Sequence, residues 1–113
     1  MRYGTVLQVN DLNLCRCFYR DTLNLGEPEI DSTELTVFRL CSEGEVFLVL
    51  QKNPLPCLEH ASSAASWFMK LPGAAGIAEK LESSGYPVCT ADFYGGKFYR
   101  ISDPEGNTFF ISE

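Results

Sequence analysis

Few side chains in this 113-residue sequence are suited to bond-making chemistry. His60 is the only histidine, so little general-base capacity is available near neutral pH. Five cysteines occur, Cys15, Cys17, Cys41, Cys57 and Cys89, and no Cys-x-x-Cys is present. Cys15 and Cys17, two apart on a helix, point in different directions and would not share a metal. The cysteines read as small buried hydrophobes in a reducing compartment. Gly-x-Ser-x-Gly, Gly-x-Gly-x-x-Gly and the P-loop are all missing. What remains suits recognition better than catalysis. Arg39 and Arg100 can grip a carboxylate or phosphate bidentately, or pair across a strand with Glu43 or Glu45. Gln8, Ser66 and Lys70 are further polar candidates, and Tyr94 beside Gly95-Gly96 is an aromatic one.

The elements that must position these residues follow from periodicity. Residues 3–9 read as a strand. Asp11 is a helix N-cap, and Leu12, Cys15, Phe18, Tyr19 and Leu23 lie at helical spacing behind it. Asn24, Gly26 and Pro28 end that helix. Strands are expected over 35–40 and 46–51, with Glu43-Gly44-Glu45 turning between them. A connector over about 53–63 holds two prolines, two serines and His60. The plan then restarts. It gives a strand over 66–71, a helix marked by Ala74, Ile77, Ala78 and Leu81 with Gly85 beyond it, and strands over 87–91, 97–102 and 108–112.

The two halves, about 1–52 and 64–113, match in order and partly in residues. Phe38-Arg39-Leu40 recurs as Tyr99-Arg100-Ile101, 61 positions on. An extra residue in the second turn then makes the offset 62, so that Phe47 meets Phe109. Cys15 meets Ile77 and Tyr19 meets Leu81 at the same offset. Duplication of one βαβββ unit within a single α+β domain accounts for this pattern.

Val9-Asn10-Asp11-Leu12 followed by Phe18-Tyr19-Arg20-Asp21-Thr22-Leu23 resembles the opening motif of the vicinal oxygen chelate superfamily. Ser102-Asp103-Pro104-Glu105-Gly106-Asn107 resembles its closing Asp-Pro-x-Gly-Asn hairpin. The superfamily includes glyoxalase I, extradiol dioxygenases and bleomycin-resistance proteins. One departure is Asn24, where the family usually places glycine. The resemblance implies two βαβββ repeats forming a curved, cup-like mixed sheet, with helices on the convex side and the site on the concave side. It also implies four inward positions for metal ligands. Two lie on the first strands, seven residues before the helix-start Asp, and two on the last strands. Here they are Gly4 and Ser66, and Leu48 and Phe110. Divalent metals need imidazole, carboxylate, thiolate or comparable oxygen donors. Ser66 alone is a poor ligand, and Gln8 adds only one neutral amide. No metal, no other cofactor and no catalytic residue is therefore expected.

Strand alternation then assigns the cup lining. Gly4, Val6 and Gln8 share one face, as do Ser66, Phe68 and Lys70. Val46, Leu48 and Leu50 are equated with Thr108, Phe110 and Ser112. Leu7, Val9, Phe47, Val49, Trp67, Met69, Leu71, Phe109 and Ile111 are expected beneath the helices. The cup acquires an apolar floor of Leu48, Phe68 and Phe110, extended by Val6 and Leu50. Gln8, Ser66 and Lys70 supply polarity, and Arg39 and Arg100 stand on the third strands. Such a mixture suits an organic ligand, or a cup filled by its own side chains or by a partner.

Charge and hydropathy narrow the partners. Nine Lys and Arg against fifteen Asp and Glu give a net charge of −6, with no basic run. Nucleic acid is therefore an unexpected partner. The longest apolar run, residues 46–50, is far short of a membrane span, and no signal-peptide pattern opens the chain, so a cytoplasmic location is expected. The acidic balance favours a cationic or aromatic ligand. Three functions compete: metal-free ligand sequestration like the bleomycin-resistance branch, with antibiotic resistance as its outcome; a metal-dependent lyase, isomerase or dioxygenase; and a non-catalytic interaction module. A homodimer is expected, from strands apolar on both faces.

Overall fold

A computed structural model of the chain describes residues 2–40, 44–53, 67–93 and 96–113. Glu43, Cys41, Cys57, His60, Ser66 and Tyr94 lie outside the described residues. The chain divides into two compact units, Met1–His60 and Ala61–Glu113.

In the first unit, β1 (Arg2–Val9) leads into α1 (Leu12–Cys17). Asp11 caps α1 as its sequence position requires, its carboxylate accepting from the Leu14 amide at 3.0 Å. The helical spacing predicted a single helix to Leu23. Instead the last turn, Phe18–Thr22, widens to π geometry, the Leu23 amide donating to the Phe18 carbonyl at 2.9 Å. Phe18, Tyr19 and Leu23 are all buried there. Asn24 follows with φ +59°, in the left-handed region that asparagine tolerates. Three strands complete the unit: β2 (Ile30–Asp31), β3 (Leu35–Arg39) and β4 (Glu45–Lys52). The sheet order is β1-β4-β3-β2, with β1 parallel to β4 and the other pairs antiparallel. The two-residue β2 was not foreseen. It sits inside an acidic stretch with no alternation to mark it.

The second unit repeats the plan with β5 (Phe68–Lys70), α2 (Ala74–Ser83), β6 (Cys89–Phe93), β7 (Gly96–Ser102) and β8 (Thr108–Ser112). Its order is β5-β8-β7-β6, with β5 parallel to β8. No side chain of α2 caps its start, where Gly73 takes φ +77°. The Glu113 carboxylate does so from the end of β8, accepting from the Gly73 and Ala75 amides at 3.1 and 3.2 Å.

Each helix covers one face of its own sheet. The buried set in the first unit includes Leu7, Val9, Leu12, Tyr19, Phe38, Leu48 and Leu50. In the second it includes Met69, Ala74, Ala78, Leu81, Ile101, Phe109 and Ile111. Each fully buried large side chain contributes about 1.5–3 kcal/mol over its exposed state.

Register corrects the expected face of β4. Leu7 stands opposite Leu50, and Thr5 opposite Leu48, so both leucines share the helix face with Leu7 and Val9. Both are 0% exposed. Phe47 and Val49, expected beneath the helix, stand opposite Gly4 and Val6 on the open face. In the second unit the expectation holds: Phe68 pairs with Phe110 on the open face, and Met69 with Ile111 beneath α2. The cause is turn length. Arg39 opposes Phe47 across seven intervening residues, and Ser102 opposes Thr108 across five. The longer connection is thus in the first unit, not the second. With Leu7 matched to Met69, the repeat offset is 62 in the first strands, 63 in the third (Phe38 with Ile101) and 61 in the last (Leu50 with Ile111). One residue of slip turns every side chain of a strand to its other face.

Among the described residues, no helix is long and apolar enough to cross a membrane. Of the described cysteines, Cys15 is buried as expected, but Cys17 and Cys89 are exposed, because Cys17 lies on the outer side of α1 and Cys89 on the edge strand β6.

Candidate functional site

The open face of the second sheet carries a well-formed recess. Alternation along β5 sets Phe68 and Lys70 on that face, and pairing with β8 brings Ser112 beside Lys70 and Phe110 beside Phe68. On β7, Phe98 shares the face with Arg100, which stands opposite Phe110. A groove of about 730 Å³ opens here, lined chiefly by Phe68, Lys70, Lys97, Phe98, Ser112 and Glu113. The rings of Phe68 and Phe98 meet edge to face, centroids 5.8 Å apart and planes at 88°. Phe68 nonetheless remains 59% exposed. The Lys97 ammonium lies 5.5 Å from the Tyr99 ring centroid. Ser112 is only 5% exposed, and its hydroxyl oxygen is buried without a hydrogen-bond partner among the described residues.

The open face of the first sheet carries Gly4, Val6, Gln8, Phe47, Val49 and Arg39. Val6 is 57% exposed, and Gln8 is exposed beside Gln51. Arg39 is committed locally. Its guanidinium pairs with Glu29 at 2.9 Å, donates to the Gly44 carbonyl at 2.8 Å and lies over the Phe47 ring at 4.8 Å. The carboxylate paired with it is that of Glu29, just before β2, and Glu43 lies outside the described residues. In the same unit, Arg20 is held above its ordinary pKa by a hydrogen bond to the Asp21 carboxylate and by the charge of Asp21.

The expected lining is therefore divided. Val6, Gln8, Phe68, Lys70 and Phe110 stand on open faces, as do Arg39 and Arg100. Leu48 and Leu50 do not, since they close the core beneath α1. Ser66 lies outside the described residues. Lys97, Phe98 and the buried hydroxyl of Ser112 were not selected from the sequence. Alternation from Arg100 would have found Phe98. The state of the Ser112 hydroxyl has no sequence signal.

The corrected offset also moves one of the four family ligand positions. The residue equivalent to Phe110 is Val49, not Leu48. Gly4, Val49 and Phe110 offer no donor atom in their side chains, so these residues do not fit a divalent metal. Among the described residues, no three His, Cys, Asp or Glu side chains cluster to hold one elsewhere.

No family model matches the sequence, and no curated protein matches it. Solved structures do match. A lactoylglutathione lyase from Agrobacterium tumefaciens superposes with TM-score 0.73 at 23% identity, covering 100% of this chain and 92% of that one. The bleomycin-binding protein of Streptomyces verticillus, solved with copper(II)-bleomycin, gives 0.67 at 18% identity over 99% and 94%. A glyoxalase/bleomycin resistance protein/dioxygenase from Alicyclobacillus acidocaldarius gives 0.69 at 12% identity over 98% and 89%. The chain has the fold these three proteins share.

Proposed function

We propose that this chain uses the glyoxalase/bleomycin-resistance fold to bind and sequester a small organic molecule, without a metal and without converting it. The carrying observation is the chemistry of the open faces. Where a metal-dependent relative would place imidazole or carboxylate, this chain has Gly4, Val49 and Phe110. The open face of the second sheet offers a recess with an aromatic floor and a few polar groups, the composition expected of a small-molecule site. Binding of an organic molecule is what we carry over from the bleomycin-binding protein, and resistance to a toxic compound would follow from simple retention of it. The exposed Val6 and Phe68 also favour a homodimer. A monomer mass by analytical ultracentrifugation at micromolar concentration would remove that part.

Two measurements on one preparation test the function. Native mass spectrometry of gently purified protein is expected to show a non-covalent organic adduct, released unchanged on denaturation. Elemental analysis of protein purified without chelator is expected to find no stoichiometric divalent metal. One equivalent of tightly held metal, or turnover of the released compound when it is added back, would sink the proposal.

A further inference from the structure

We propose that the groove of the second unit selects an anion: a flat apolar molecule bearing a carboxylate or similar oxygen-rich head group. This rests on the small-molecule reading above and specifies its ligand class. The net charge of −6 attracts cations at long range. Inside the groove, within a Debye length, nearby groups decide instead. Both lysines at the groove, Lys70 and Lys97, are cationic, and the acid there is Glu113. That carboxylate is already engaged, since both its oxygens accept backbone amides at the start of α2.

Three features converge on an anionic head. Lys70 is exposed on the open face and has no carboxylate partner among the described residues. Ser112 stands directly opposite it across the β5–β8 pair, and neighbouring strands lie about 4.8 Å apart. Ser112 lines the groove, and its buried hydroxyl has no hydrogen-bond partner among the described residues, so a turn of the side chain toward an incoming oxygen would give it an acceptor. One carboxylate is wide enough to take a hydrogen bond from that hydroxyl and a charge-assisted one from the ammonium. The body of the ligand would then lie over Phe68, whose exposed ring is propped edge-on by Phe98.

The test is calorimetric titration of the whole chain with three probes of one shape: naphthoate, naphthamide and naphthylmethylammonium. Naphthoate is expected to bind at least about tenfold tighter than the amide, and the cation weakest. Lys70→Met should remove that advantage, bringing naphthoate down to the level of the amide, and Ser112→Ala should weaken naphthoate severalfold. If Lys70→Met does not fold, Lys70→Gln is read in the same way. Equal binding of naphthoate and amide, a preference for the cation, or full naphthoate affinity in the Lys70 variant would overturn the anion inference. In those outcomes the small-molecule reading stands. If none of the probes binds and no compound co-purifies, both fall.

Discussion

Asp103 is 3% exposed, yet its carboxylate is fully used. It accepts from the Glu105 and Asn107 amides, each at 2.9 Å, and from the Asn107 side-chain amide at 2.8 Å. The Asp-Pro-x-Gly-Asn motif is therefore a device for folding the β7–β8 hairpin, with Gly106 at φ +86° completing the turn. Asp103→Ala would strand those donors and should cost about 2–4 kcal/mol in urea unfolding. A loss below about 0.5 kcal/mol would show that the turn holds without it. Asn24 makes the opposite case. It holds a left-handed backbone at φ +59°, which glycine adopts without the Cβ penalty, so Asn24→Gly should raise stability by about 0.5 kcal/mol. Both residues were legible in the sequence because their roles are local. Ser112 was legible only as a strand position. That its hydroxyl is buried with no partner among the described residues depends on what surrounds it.

At the scale of elements, α1 is short and is held by more than its apolar face. Arg16 reaches from it to the Asp31 carboxylate at 2.6 Å, the Thr36 hydroxyl at 3.2 Å and the Ser32 carbonyl at 3.0 Å, tying the helix to β2 and β3. Thr36 is wholly buried, so replacing Arg16 leaves a desolvated hydroxyl with one partner fewer. Arg16→Met should cost about 1–2 kcal/mol by thermal unfolding, more than an exposed ion pair would. No loss would mean that β2 docks without the helix. Helix starts and stops were readable from Asp11 and Gly85, because caps and left-handed turns are properties of a few consecutive residues. The π turn at Phe18–Thr22 and the capping of α2 by Glu113 were not, since each answers to packing or to a residue far along the chain.

For the molecule as a whole, ligand binding and stability are linked, because a compound that binds only the folded state stabilises it by mass action. A ligand at about a hundred times its dissociation constant should add about 2.7 kcal/mol, which for a domain of this size raises Tm by roughly 10 °C. Differential scanning fluorimetry with the co-purified compound checks this, and an unchanged Tm at saturation would argue against a folded-state site. The sequence by itself determined the α+β class, the duplication, nearly every element and the poverty of metal donors, all of which follow from residue type and short-range periodicity. Only the tertiary structure decided which face of β4 looks outward. Alternation states that Leu48 and Leu50 share a side, but not which side. That choice is made by hydrogen bonding to β1, a strand some forty residues earlier, and by the length of the β3–β4 connection. The groove of Phe68, Lys70, Phe98 and Ser112 is of the same kind. The β7–β8 hairpin and β5, some thirty residues earlier, assemble it, and no short window along the chain contains it.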